Sequence, residues 1–338
     1  MTETLTRHRL EGLEPDNLLA FLTLLGLLRS LEAADREKPT SDKLHPRASW
    51  NLDIPPLRPV LSVAIPITQR DVTEAAANGL SIVAASYDFG NHYRRDLNHP
   101  RNEARSMLMA TAHAATALAR DQVDLLSSLM SDAAIKEDKN PATAPIAPTP
   151  LCLLFGQGHQ HFLERLAKIP TEPAPPSRGK GKAVVTLSAP ECLAEALFAP
   201  WNREDPTFSF RWDPEEDVRY ALMAGDPTDS AYKGGTQHGA NRLAAVGLAT
   251  LTLIAETRGG QIRPSVIGGS SGPGGFSFAW PIWKEPATLS AIRALLAHRD
   301  LRKSGKLTYL GVDHVLVANR ISVGKFMNFT RARITDRD

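Results

Sequence analysis

Cysteine is nearly missing from this sequence: Cys152 and Cys192 are the only two among 338 residues. Both lie in apolar company, which predicts buried free thiols in a reducing compartment and leaves no four-cysteine zinc site to build. Long apolar runs are missing too. The run from Leu18 to Leu28 is interrupted by Thr23 and Gly26 and is too short to span a bilayer. Residues 1–10 are polar and charged, unlike a signal peptide, so a cytoplasmic protein with no membrane partner is expected. Catalytic signatures are absent as well. The chain has no Gly-x4-Gly-Lys-Ser/Thr loop, no G-x-S-x-G elbow and no H-E-x-x-H pair, so a non-catalytic protein without a cofactor is expected.

Excess charge of one sign is also lacking. The net charge of +2 excludes a general cationic coat, and any nucleic-acid surface has to come from local asymmetry. That asymmetry is present. Residues 293–338 hold ten Lys/Arg against four Asp/Glu, whereas 191–232 hold ten acidic residues against three Arg. Two solvated faces of opposite sign that attract each other would give the same pattern.

What is there is ordinary globular composition, 42% hydrophobic and 22% charged, enough to bury a full core. Asp16 or Asn17 can cap a helix that starts at Leu18. Its Leu/Phe residues leave only a thin polar stripe at Thr23, Gly26 and Ser30, which predicts a deeply buried helix running to about residue 34, with Gly26 at a close helix contact. Val60–Ile65, between Pro59 and Pro66, reads as a strand. Further helices are expected at about 70–85, 101–133, 239–254 and 286–297. Thr207–Trp212 and Phe276–Trp280 alternate with period two, each with three aromatics on one face, so both read as strands. Gly268–Gly275 reads as a hairpin turn. The fold class is therefore α+β, mixed helices and antiparallel strands around a buried N-terminal Leu-rich helix. The chain is expected to form one large domain over 1–338, or two lobes, 1–150 and 183–338, joined by a Pro-rich region with a basic loop at 178–182.

Candidate binding residues fall in four clusters. The first is Asp88–Arg95 with Arg94 and Arg95, followed by Arg101, Asn102 and Arg105. Arg101 and Arg105 are one helical turn apart at a helix N-terminus, a placement that with free backbone N–H groups suits phosphate. A solvated polar loop is the plainer explanation. The second is Arg178, Lys180 and Lys182, alternating with glycines in a stretch fit to lie along a phosphate backbone. The third is Lys233–Arg242, where Lys233, Gln237, His238, Asn241 and Arg242 surround a Gly-rich helix start that suits an anion; a simple helix cap competes. In the fourth, Arg320–Arg333, Lys325, Asn328, Arg331 and Arg333 are interleaved with aromatics. That mix suits backbone contact with base stacking, or a charged edge strand that resists aggregation.

Metal chemistry has thinner support. His159 and His161 supply two imidazoles without the remaining ligands of a zinc site. Asp213, Glu215, Glu216 and Asp217 read as an exposed acidic turn in preference to a Mg²⁺ site.

Three segments together resemble proteins encoded with type I-G (formerly I-U) CRISPR systems, the large-subunit-like group. They are Leu10–Asn17 with its Leu-rich helix, Phe210–Pro214 with Arg219–Leu222, and Gly239–Ala244. The resemblance implies a subunit of a crRNA-guided antiviral surveillance complex (Cascade) that recognises the protospacer-adjacent motif and helps open the duplex. Target DNA, crRNA and the other proteins of the complex would be its partners. Two other readings stay open: an assembly or adaptor protein docking a basic partner through an acidic 191–232 face, and a metal-dependent nuclease using His159, His161 and carboxylates.

Overall fold

The computed structural model describes residues 5–87, 96–114, 116–136, 140–154, 161–171, 186–205, 207–216, 235–258, 260–272, 274–323 and 326–335. The Leu-rich segment forms helix α1 (Leu18–Ala34), and every residue of it except Glu32 is buried. Asn17 caps it, its side chain accepting from Ala20 N–H at 3.3 Å. A helix this uniformly apolar needs partners on all sides. Helix α2 (Gln69–Ala84) covers one side, opened by a capping box between Thr68 and Asp71. Helix α7 (His238–Leu248), itself buried throughout, covers another.

Two glycines set how closely α1 and α7 approach. A Cβ on Gly26 would stand 1.8 Å from Leu243 O, and one on Gly247 would stand 2.1 Å from Leu22 O. The polar groups between the two helices are satisfied locally, since Thr23 Oγ1 donates to Leu19 O and reaches Ala240 O at 3.1 Å. At the far end of α1, Arg29 turns toward helix α4 (Ala117–Leu129), where Asp121 also takes two N–H donors from Arg36, at 2.6 and 2.8 Å.

Strands β1 (Thr6–Arg9), β2 (Arg47–Asn51) and β3 (Arg58–Val63) form an antiparallel sheet in the order β1-β3-β2. Strands β4 (Leu253–Arg258) and β5 (Gln261–Val266) pair as a hairpin. The larger antiparallel sheet runs β10 (Arg333–Ile334), β8 (Val312–Val323), β7 (Gly275–Trp283), β6 (Gly269–Gly272), and β9 (Phe326–Phe329) pairs with β8. Phe276, Phe278 and Trp280 all face inward, as their period-two spacing predicts. Trp280 stacks on Phe21 of α1 at 5.3 Å between ring centroids, and its Nε1–H donates to Pro15 O. Trp283 Nε1–H donates to Ala48 O at 2.7 Å and ties the two sheets together. One buried apolar cluster runs from Leu10 to Ala332 and takes residues from both 1–150 and 183–338.

The remaining helices are α3 (Arg101–His113), α5 (Phe162–Thr171), α6 (Ala189–Phe198) and α8 (Leu289–Leu296). The architecture is α+β with a buried N-terminal helix, as expected. Several local expectations need correction. The helix expected over 101–133 is two helices, α3 and α4, because Thr116 caps a new start by accepting from Ala119 N–H at 3.1 Å. Thr207–Trp212 is not a strand. Arg211 takes a left-handed φ of 63°, which breaks the pleat, and Phe210 and Trp212 stack face to face at 4.4 Å. The helix expected to reach 254 stops at Leu248, and the chain re-enters as β4. Among the described residues, no helix is long and apolar enough to cross a membrane.

Candidate nucleic-acid interface

Two arginines, Arg320 of β8 in the larger sheet and Arg263 of β5, line one groove. Phe276 is on the buried face of β7, packed edge-on against Phe329. On the neighbouring β8, Arg320 lies two residues beyond the buried Ala318, and the strand period turns it toward the interior. Its guanidinium stands 5.6 Å from the centroid of the Phe276 ring, and its Nη1–H donates to Pro150 O at 3.0 Å. Burial holds its pKa below the ordinary arginine value, though the group stays cationic. No carboxylate pairs with Arg320 among the described residues.

Arg320 forms one wall of a groove of about 300 Å³ between the 147–152 segment, β5 and the β6–β7 hairpin. Arg263 of β5 stands at the groove, exposed, with one bond to Gln261 Oε1. Pro148, Pro264 and Met327 supply apolar wall, and none of the described residues lining the groove is acidic. Glu256 stands at the rim: it lies directly across from Arg263 in the β4–β5 ladder, and its Oε2 accepts from Ser271 N–H at 3.4 Å. Cys152 also lines it, but burial pushes its thiol up to about 12. It is therefore a neutral neighbour and no nucleophile.

The clusters expected from sequence fare differently. Arg94, Arg95, Arg178, Lys180, Lys182, Lys233 and Lys325 lie outside the described residues. Arg101 and Arg105 do lie one turn apart at the start of α3, and Arg105 lies 3.8 Å from Asp132. The helix start is not an open anion site, however, because Arg101 N–H and Asn102 N–H already donate to Ala144 O and Ala142 O.

The 233–242 cluster is corrected more strongly. Gln237, His238, Asn241 and Arg242 are all buried. His238 N–H, at the start of α7, donates to Asp205 Oδ2 at 2.9 Å, so the protein's own carboxylate holds the place an external anion would take. Asn241 bonds Phe210 N–H, Thr236 Oγ1 and Gln237 O. Gln237 Oε1 accepts from Arg203 N–H, and Arg242 donates to Pro170 O. This is an interior seam that holds α7 to the 203–213 segment.

In the C-terminal cluster Asn328 is buried, its Oδ1 accepting from Phe329 N–H at 2.7 Å. Arg331 is committed to Glu14, Asp16 and Glu215, all within 2.9 Å. Arg333 is exposed.

The acidic turn also differs from expectation. Asp213 is buried, ion-paired with Arg203 at 2.7 Å and accepting from Asn17 Nδ2 at 2.9 Å. Glu216 is half-buried and accepts from the Ser209 hydroxyl, and desolvation raises its carboxyl to about 7. Glu215 is exposed and faces Arg331, whereas Asp217 lies outside the described residues. His159 lies outside them too, and His161 Nδ1 pairs with Asp96 at 3.0 Å. Among the described residues, no three His, Cys, Asp or Glu side chains gather to hold a metal.

Arg263 falls outside the clusters expected from the sequence, and Arg320 opens the fourth of them without being singled out there. For Arg320 a signal existed: it is in phase with the apolar Leu316 and Ala318 of β8, and a cation on the inward face of a strand asks for a reason. For Arg263 there was none, since its neighbours in the groove are drawn from segments far apart in the chain. Comparison with known protein families, with curated proteins and with solved structures found no match for this chain.

Proposed function

We propose that the chain is a non-catalytic nucleic-acid-binding subunit of a crRNA-guided type I CRISPR effector (Cascade) complex, working in the cytoplasm and contributing to target-DNA recognition and duplex opening. The observation that carries the binding reading is the groove that Arg320 and Arg263 both line, with no carboxylate among the described lining residues. A partly desolvated guanidinium without an acidic partner is costly in isolation, and a phosphate supplies the missing charge in bidentate geometry.

Of the segments that carry the resemblance, the described parts pack on one another: Asn17 bonds Asp213 directly, and Ala240 O accepts from Thr23 of the Leu-rich helix. The adaptor reading has weaker support, because Glu191, Asp205, Asp213, Glu215 and Glu216 are each spent on caps, ion pairs or hydrogen bonds within the chain.

The test is binding of the purified chain to a labelled duplex and to single-stranded RNA across a salt series. Affinity should fall linearly on a log–log plot, by one unit of slope or nearly so for each phosphate neutralised. Lys180→Ala with Lys182→Ala should weaken binding and flatten that slope. No binding even at low salt overturns the proposal for the isolated chain.

A further inference from the structure

We propose that the Arg320 groove accepts one unpaired nucleotide, with its phosphate on Arg320 and Arg263 and its base against the proline–methionine wall. The inference rests on the nucleic-acid reading above and specifies which form of nucleic acid the site takes.

Size comes first. A groove of about 300 Å³ sits at the lower end of small-ligand sites. It has room for one nucleotide and none for a base pair, whose two bases are turned toward each other inside a helix roughly 20 Å across.

The lining points the same way. A duplex read through its backbone alone calls for exposed cations spread along a surface. Here one cation is sunk and fixed instead. Pro150 O holds one N–H of Arg320, and the guanidinium lies 5.6 Å from the centroid of the Phe276 ring. That restraint leaves the other N–H donors aimed without a large entropy cost on binding. Among the described residues, Pro150 O is the one hydrogen-bond acceptor that Arg320 has.

The remaining wall bears on base preference. Pro148, Pro264 and Met327 present flat or polarisable apolar surface, which packs on the face of any base and reads none of them by hydrogen bonding. The site is thus expected to prefer an unpaired strand over a duplex without strong base preference. Glu256 at the rim would disfavour a second phosphate close to Ser271, which favours a single unit.

The experiment measures anisotropy of the full chain with a labelled ten-nucleotide single strand and with the corresponding blunt duplex. Inorganic phosphate and a nucleoside monophosphate serve as competitors. Arg320→Gln and the exposed Arg263→Gln are compared with Arg70→Gln, which removes one partner of an exposed surface pair on α2. Arg263 is exposed, so its variant tests the site even if Arg320→Gln unfolds, and thermal denaturation of each variant checks that point.

The expected result is a single-strand affinity reduced about tenfold in each groove variant, with the salt slope lower by roughly 0.7 for each phosphate no longer neutralised. Duplex affinity should stay within twofold, and Arg70→Gln should match the parent. Competition by the monophosphate but not by phosphate supports a site that holds base and phosphate together. Direct binding of the monophosphate, followed by calorimetry, without any strand binding identifies a free nucleotide as the occupant and overturns the strand. Strand binding untouched by both groove variants overturns the groove while leaving the nucleic-acid reading in place. Absence of binding to every probe overturns both.

Discussion

Glu216 is a carboxyl held where its charged form is poorly solvated. Desolvation and the nearby Asp213 raise its pKa to about 7, against the pull of the Ser209 hydroxyl and of Arg211 and Arg165. In the unfolded chain it ionises near 4.5, so between these values the folded state binds more protons than the unfolded one. Stability should therefore be highest below about pH 4.5 as far as this group is concerned, and fall as the pH rises toward 7. Glu32, also raised by burial, acts in the same direction. Glu216→Gln is expected to flatten the decline, read as the midpoint of urea denaturation from about pH 5 to pH 8. An unchanged slope would mean that the carboxyl is better solvated than its surroundings imply. At this scale the sequence was a poor guide. Asp213, Glu215 and Glu216 look alike in a run of charges, and only the fold separates the buried ion pair, the surface ion pair and the desolvated acid.

At the scale of elements, the α1–α7 contact dominates. Gly26 and Gly247 let two backbones approach to where a methyl group would overlap a carbonyl oxygen. Gly26→Ala raises intrinsic helix propensity by about 1 kcal/mol, yet the clash with Leu243 O must push the helices apart. The expected outcome is a net loss of roughly 3 kcal/mol or failure to fold, and a gain in denaturation midpoint would show that the helices have room to separate. The length of α1, its cap and its burial were legible because nearly every position obeys one rule, apolar on all sides. The three inward aromatics of β7 were legible for a similar reason. Phe208, Phe210 and Trp212 show the same alternation and form no strand, because the left-handed Arg211 and the pull of Leu151 O on the Trp212 indole override local pattern. The break between α3 and α4 was hidden by an alanine-rich stretch whose composition favours helix throughout, where Thr116 caps a new start. The groove was the least legible part, because its walls come from the 147–152 segment, β5, β7 and β8, and no local pattern announces such a meeting.

Across the whole molecule, the two oppositely charged stretches meet. Arg331 of the basic C-terminal stretch bonds Glu215 of the acidic one and closes on Glu14 and Asp16 from the N-terminal loop, while Ala332 N–H donates to Asp16 O at 2.8 Å. In the same stretch Arg302 donates to Gly268 O and Ser277 O. Arg331→Ala should therefore act on structure and not on binding. Because the side chain is partly exposed, the global loss is expected to be about 1 kcal/mol. Amide exchange should quicken at β10 and around Asp16, and the salt slope for nucleic acid should be unchanged. A slope reduced by one unit would return Arg331 to the binding surface.

The α1–α7 pairing also bears on how the protein is made. The helix that must be buried on every side leaves the ribosome more than two hundred residues before its partner. At ordinary synthesis rates that interval is roughly 10–40 s. For that time a seventeen-residue apolar helix lacks the α7 face that closes over it and the inward aromatics of β7. The nascent chain is thus a natural client for a holding chaperone, and its yield in a cell should follow chaperone supply more closely than it follows the stability of the finished fold.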